Sequence, residues 1–233
     1  MDIITTKIGF EMLMRWGHFM AGITWIGMLY YFNFVQTEYF KEADPAAKSD
    51  AVRKLVPRAL WWFRWGAAFT FLTGVLIMGA RGAGMPVDIY VGAALGTLMF
   101  LNVWLIIWPC QKIVIASANQ VAEGGSAVPE AADALAKAGL ASRTNTLFTV
   151  PMLFFMGASS HFPHSFGVFA LVVALVVILA LEANGAYSYL ARFEVLKKVP
   201  YLGKMGPMGS VAGVIYCGLG LTVVLYLILE LLT

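Results

Sequence analysis

Several windows of this chain stay apolar for about 20 residues, the length a helix needs to cross a hydrocarbon core of about 30 Å. No other feature restricts the possible folds so severely. In lipid every backbone N–H and C=O must be satisfied within the protein, so such segments are either helices or strands of a closed barrel. Windows this long, without period-two alternation, read as helices. Composition agrees: 60% of the 233 residues are hydrophobic and 12% charged, with a mean hydropathy of +0.78. A soluble domain carries roughly twice that charged fraction.

The pattern predicts an all-α polytopic membrane protein, a six-helix transmembrane bundle. The helices fall near 8–38, 60–80, 88–115, 145–161, 165–190 and 210–231, in a single domain covering 1–233. The first segment lacks a small-residue cleavage site and reads as a permanent helix rather than a removable signal. The alanine-rich stretch 128–141 reads as a short interfacial helix ahead of the fourth span. Thirteen of the sixteen Lys and Arg residues fall in loops on one side, and only Lys7, Arg15 and Arg81 on the other. The positive-inside rule then puts the thirteen in the cytoplasm and both termini outside, which is periplasmic in a bacterial inner membrane. The net charge of +3 gives no reason to expect a nucleic-acid partner. Cys110 and Cys217 form no C-x-x-C-H or paired-cysteine pattern, so neither covalent c-type haem nor an iron–sulfur or zinc site is expected.

This topology divides the polar residues into two zones. The outer zone centres on His18, in the run RWGHFMAGITWIGMLYYFNF. At about 100° per residue, Glu11, His18, Trp25 and Gln36 project along one line, with Arg15 beside them. A stripe of this kind must face protein, water or a cofactor, because polar side chains are costly in hydrocarbon. A haem b suits it: His18 as axial ligand to the iron, Arg15 for a propionate and Trp25 as an aromatic wall. His161, at a similar expected depth, is the candidate second iron ligand. The bland alternative is that His18 merely bonds a neighbouring helix. A copper site built from the histidines and nearby methionines is a lesser alternative. His161 and His164 are spaced i, i+3, but Pro163 between them argues for a turn, where His164 reads as an ordinary surface residue.

The inner zone gathers NVWLIIWPCQK and SRTNTLFTVP. Pro109 removes the backbone bond to Leu105 and should kink its helix. Asn33, Trp108, Gln111, Arg143 and Asn145 are the candidate substrate-binding residues. Arginine offers forked donors, amides both donate and accept, and indole stacks, which together suit a planar anionic heterocycle. Ordinary interfacial anchoring by Trp and Arg, and capping of the fourth helix by Asn145, compete with that reading. No catalytic residue follows from residue types alone.

The strings RWGHFMAGITWIGMLYYFNF, WWFRWGAAFTFLTG, NVWLIIWPCQK and SRTNTLFTVPMLFFMGASSHFP resemble, in order, motifs of the membrane domain of the bacterial cytochrome c-linked urate oxidases. The resemblance covers about residues 10–165. It implies an oxidoreductase that oxidises a purine and passes electrons to a c-type cytochrome. The matching positions are His18, Trp25, Asn102, Trp108, Pro109, Gln111, Arg143, Asn145, Pro151 and His161. Two departures stand out: no cytochrome c domain follows the membrane part, and Cys110 stands where an asparagine is expected. These departures keep open a second class of function, an accessory subunit of a larger membrane complex without catalysis of its own.

Overall fold

The computed structural model describes residues 2–191, 193, 194, 199 and 202–233. Among them are six long helices and no strand. Helix α1 is Lys7–Tyr30, prolonged through a π-helical stretch, Tyr31–Gln36, into Thr37–Glu42. Helix α2 is Pro45–Arg81. Helix α3 begins as Val87–Asn102, widens into a π-helical stretch at Val103–Ile107 and continues as Trp108–Ala122. Helices α4 (Ala131–His161), α5 (Val168–Gly185) and α6 (Val211–Leu232) follow.

Four of these, α2, α3, α5 and α6, are long and apolar enough to cross a membrane. Helices α1 and α4 carry the polar stripes and are not among the four. Helix α1 packs mainly along α2, and α4 packs against α3, α5 and α6, touching α1 through Asn33 and Tyr30.

The widened turn of α3 ends where the sequence predicts a disturbance. Pro109 has no N–H, and the preceding Trp108 N–H bonds Val103 O, five residues back. The helix absorbs the missing bond as a π-turn and runs on, which is the usual form of such a defect. Helix α4 departs from expectation at its start. The fourth helix begins at Ala131 rather than near 145, so 128–141 supplies its first turns instead of a separate interfacial helix. The run AADALAKAGLA is mostly Ala, Leu and Lys, strong helix formers, and neither Asp133 nor Gly139 stops the helix before Asn145. Asn145 therefore lies mid-helix and caps nothing.

Two glycines set how closely the helices approach α4. A Cβ on Gly185 would lie 2.5 Å from Thr144 Oγ1, and one on Gly218 would lie 2.7 Å from Val150 Cγ2. Small residues at crossings let membrane helices pack backbone to side chain, where dispersion rather than water exclusion drives association.

Candidate functional site

The outer zone forms on facing turns of α1 and α2. His18 Nδ1 lies 3.1 Å from Thr73 Oγ1. That hydroxyl has one proton, which it donates to a carbonyl of its own helix, Phe69 O at 2.6 Å or Thr70 O at 3.0 Å. Thr73 therefore accepts from His18, and Nδ1 carries the ring proton. The ring also makes a hydrogen bond to the Thr70 backbone, and no side chain among the described residues bonds Nε2. Gly74 packs against the ring: a Cβ there would approach Cε1 to 3.2 Å. One turn outward, Arg15 Nε donates to Glu11 Oε1 at 3.0 Å, and Arg81 Nε donates to the same oxygen at 2.8 Å. Two guanidinium groups thus share one carboxylate. Trp25, two turns inward on the stripe, is buried and its indole N–H is unpartnered.

The two C-terminal histidines part company. His161, the last residue of α4, is exposed. His164 is buried, contrary to its reading as a surface loop residue. Its backbone N–H donates to Asp88 Oδ2 at 2.8 Å and its ring Nδ1 meets Asp88 Oδ1 at 2.9 Å. Nε2 lies 3.2 Å from Glu230 Oε2, which also accepts from the Tyr226 hydroxyl at 3.2 Å. Asp88 is fully buried in the first turn of α3, and Glu230 lies in the last turn of α6. The residue types hinted at this clamp, since Asp88 and Glu230 are isolated acids at the ends of apolar helices. Their pairing with a histidine 76 and 66 residues away did not. No group of three or more His, Cys, Asp or Glu side chains among the described residues is placed to hold a metal ion, so the copper alternative has no assembled ligand set.

The inner candidates do not converge on one centre. Asn33 is buried within the π-helical stretch of α1 and its amide donates to Leu29 O at 2.9 Å and Ser142 Oγ at 2.8 Å. Asn145 donates to Met99 O at 3.0 Å and accepts from Asn102 at 2.9 Å, while Asn102 also donates to Glu182 Oε2 at 3.1 Å. This network of α3, α4 and α5 lies just before the π-turn. Asn102 and Glu182 are the partners the inner set lacked. Trp108 stacks under Arg64, whose Cζ is 3.9 Å from the ring centroid, and Gln111 is half-buried nearby in sequence on the same helix. Arg143 is 5% exposed, and its Nη1 is buried without a hydrogen-bond partner. A desolvated, unpaired guanidinium nitrogen is costly unless something anionic or carbonyl-bearing completes it.

The family model of the urate oxidase N-terminal region matches residues 79–204, more than half of the chain. The chain belongs to this family. The match runs from the end of α2 through α3, α4 and α5, reaching beyond residue 165 where the motif resemblance stopped. Within this family segment lie Asn102, Trp108, Gln111, Arg143, Asn145, His161, His164 and Glu182. Arg15, His18, Trp25 and Asn33 lie ahead of it. No curated protein and no solved structure matches the chain.

Proposed function

We propose that the chain is a six-span redox domain of a bacterial inner membrane, holding haem b on His18 and passing electrons to a c-type cytochrome. Both termini lie on the outer, periplasmic side in this reading, supported by the thirteen-to-three distribution of basic residues. The observation that carries the cofactor is the one-sided bonding of His18. Its Nδ1–H is tied to Thr73 while no side chain among the described residues bonds Nε2, which suits an imidazole whose other nitrogen ligates a metal. The surroundings fit the group. Arg15 and Arg81 face a single carboxylate, which leaves one positive charge for a propionate. His161, exposed at the end of α4, is the candidate second ligand, and Trp25 is the aromatic neighbour along the stripe.

A bound haem supplies one-electron chemistry at its iron. The chain's own part is to fix the tautomer of His18 through Thr73, neutralise the propionate and exclude water with the α1–α2 packing. The electron donor in this reading is an anionic purine-type heterocycle, urate by the family's name. Arg143 supports that choice as a buried donor awaiting an acceptor. Asn33, Trp108, Gln111 and Asn145 stay as accompanying candidates, although Asn33 and Asn145 already spend amide protons on protein groups.

Dithionite-reduced spectra of protein purified from haem-replete cells test the cofactor. Wild type should show a b-type α-band, His18→Ala should lose it, and Thr73→Val should keep it with weaker retention. A featureless wild-type spectrum refutes the cofactor. A stoichiometric partner co-purifying with a featureless chain would favour the accessory-subunit reading. Anaerobic urate should reduce the haem, and an unchanged spectrum removes urate as donor.

A further inference from the structure

The seam between α2 and α3 carries cations that the fold leaves without counter-ions. Arg64 lies over the Trp108 ring, its Cζ 3.9 Å from the centroid, and Lys112 Nζ lies 5.6 Å from the same centroid. Neither side chain has an ion pair or a hydrogen bond among the described residues. Lys112 is exposed, and Arg64 is half-buried with none of its guanidinium nitrogens sealed from the surface. Both remain open to a ligand. An indole face attracts a cation but leaves its N–H groups free to donate. Other basic residues of these helices are already used: Arg53 and Lys54 pair with Asp50, and Arg81 with Glu11. The stretches 51–87 and 89–122 contain no Asp or Glu, so neither helix supplies a counter-charge at the seam.

The surroundings decide which anion fits. Trp61 touches Trp65, and Trp65 touches Phe69, with ring centroids 6.4 and 6.2 Å apart; Trp65 also meets Trp104 of α3 edge-on at 5.6 Å. Trp61, Trp65 and Phe69 are exposed, as is Leu105 on α3. Both helices are long and apolar enough to cross a membrane, so this aromatic strip runs from headgroup level towards the acyl chains. The seam is an open surface. A soluble anion would find no walls there, whereas a phospholipid is held alongside by its own tails. We infer that the α2–α3 seam binds the phosphate of an anionic phospholipid, with Arg64 and Lys112 on its oxygens and an acyl chain along Trp65, Phe69 and Leu105. The arginine fork suits two phosphate oxygens, and the lysine adds a point charge. Basic pockets between membrane helices take such headgroups. A zwitterionic headgroup brings its own cation, which the two free cations repel. His18 and Arg143 contribute nothing here; Trp108, beneath Arg64, is the one residue shared with the substrate candidates.

The full chain in nanodiscs of dibromo-phosphatidylcholine, whose bromines quench lipid-facing indoles, tests this on titration with unbrominated dioleoyl-phosphatidylglycerol. Recovery of tryptophan fluorescence should exceed that given by unbrominated phosphatidylcholine, corresponding to about threefold enrichment of the anionic lipid beside the protein. Arg64→Gln and Lys112→Gln should each lower the enrichment about twofold with the thermal melt unchanged, and the double variant should abolish it. Lys41→Gln, whose lysine pairs with Glu38, should match wild type. Equal recovery by the two lipids in the wild type overturns the proposal without reference to any variant. Full enrichment in the double variant does so as well. At matched ionic strength, millimolar inorganic phosphate should leave the enrichment in place; its loss would assign the cations to a soluble anion and overturn the lipid. Loss with millimolar urate would assign the seam to the substrate and likewise overturn it. Haem spectra report on His18 and do not enter this measurement.

Discussion

His164→Ala should destabilise the fold far more than an exposed turn residue would. The ring and backbone of His164 supply one hydrogen bond to each oxygen of Asp88, which is fully buried. Removing the ring leaves Oδ1 buried without that partner. Breaking a buried pair from one side costs about 3–5 kcal/mol. The backbone bond to Oδ2 survives, which puts the expectation near the lower end, about 3 kcal/mol. Asp88→Ala should cost about as much, because it strands two donors, the ring N–H and the main-chain N–H of His164, at about 1–3 kcal/mol each. The double variant removes the charge together with its ring partner, so its cost should fall short of the sum by about 2 kcal/mol, a coupling within the range for contacting residues. Glu230→Gln should cost at most about 1 kcal/mol, since that side chain is half exposed. Reversible unfolding in mixed micelles, followed by circular dichroism against detergent mole fraction, measures all four. A His164→Ala cost under about 1 kcal/mol, or strict additivity in the double variant, would refute the clamp.

Gly218→Ala should cost about 1–3 kcal/mol by forcing α6 away from α4, and Val150→Ala in the same chain should recover part of it; unchanged stability in the single variant would contradict the close approach. Asn145→Leu removes the acceptor of Asn102 and the donor to Met99 O, so the α3–α4 contact should loosen by about 2 kcal/mol, read by the same unfolding assay. Thr73→Val should leave the apo-fold intact yet weaken haem retention about 10- to 100-fold on haem-transfer titration, because a ligating imidazole loses the acceptor that orients it. Equal retention in Thr73→Val would mean that the threonine does not position His18.

What the sequence made legible follows from the range of each interaction. Bilayer thickness is a local constraint, so α6 and the start of α3 could be placed to within a residue, although α3 runs on to Ala122 past its expected end near 115; a missing N–H at Pro109 is a local event that surfaced as the π-turn before it. Polar pairing is not local. Thr73 is 55 residues from His18, and Glu182 is 80 from Asn102; no pattern in the chain marks either as a partner. Asn145 misled for the same reason. Next to Arg143 and Thr144 it looks like a helix start, but the helix already runs from Ala131, so the backbone there needs no cap and the carboxamide pairs with Met99 O and Asn102 on another helix.

The three histidines show how such partners separate structure from function. Each sits in apolar sequence, and composition alone treats them alike. His164 has both nitrogens and its backbone N–H engaged by two carboxylates, so nothing is left over to bind a ligand; it closes the ends of α3, α4 and α6. His161 is exposed, and its ring is hydrogen-bonded to none of the described residues. His18 has one nitrogen held by a side chain that is itself held, while no side chain among the described residues bonds the other. Holding Nδ1 adds little to helix packing that an apolar side chain could not provide, while it fixes the direction of Nε2. Polar residues inside a membrane are hard to accommodate, and one that is oriented on one side and unsatisfied on the other has its remaining valence aimed at something outside the chain. That asymmetry, rather than the mere presence of a histidine, is why the proposed haem is sought at α1 and α2 and not at the better-connected clamp at the other helix ends.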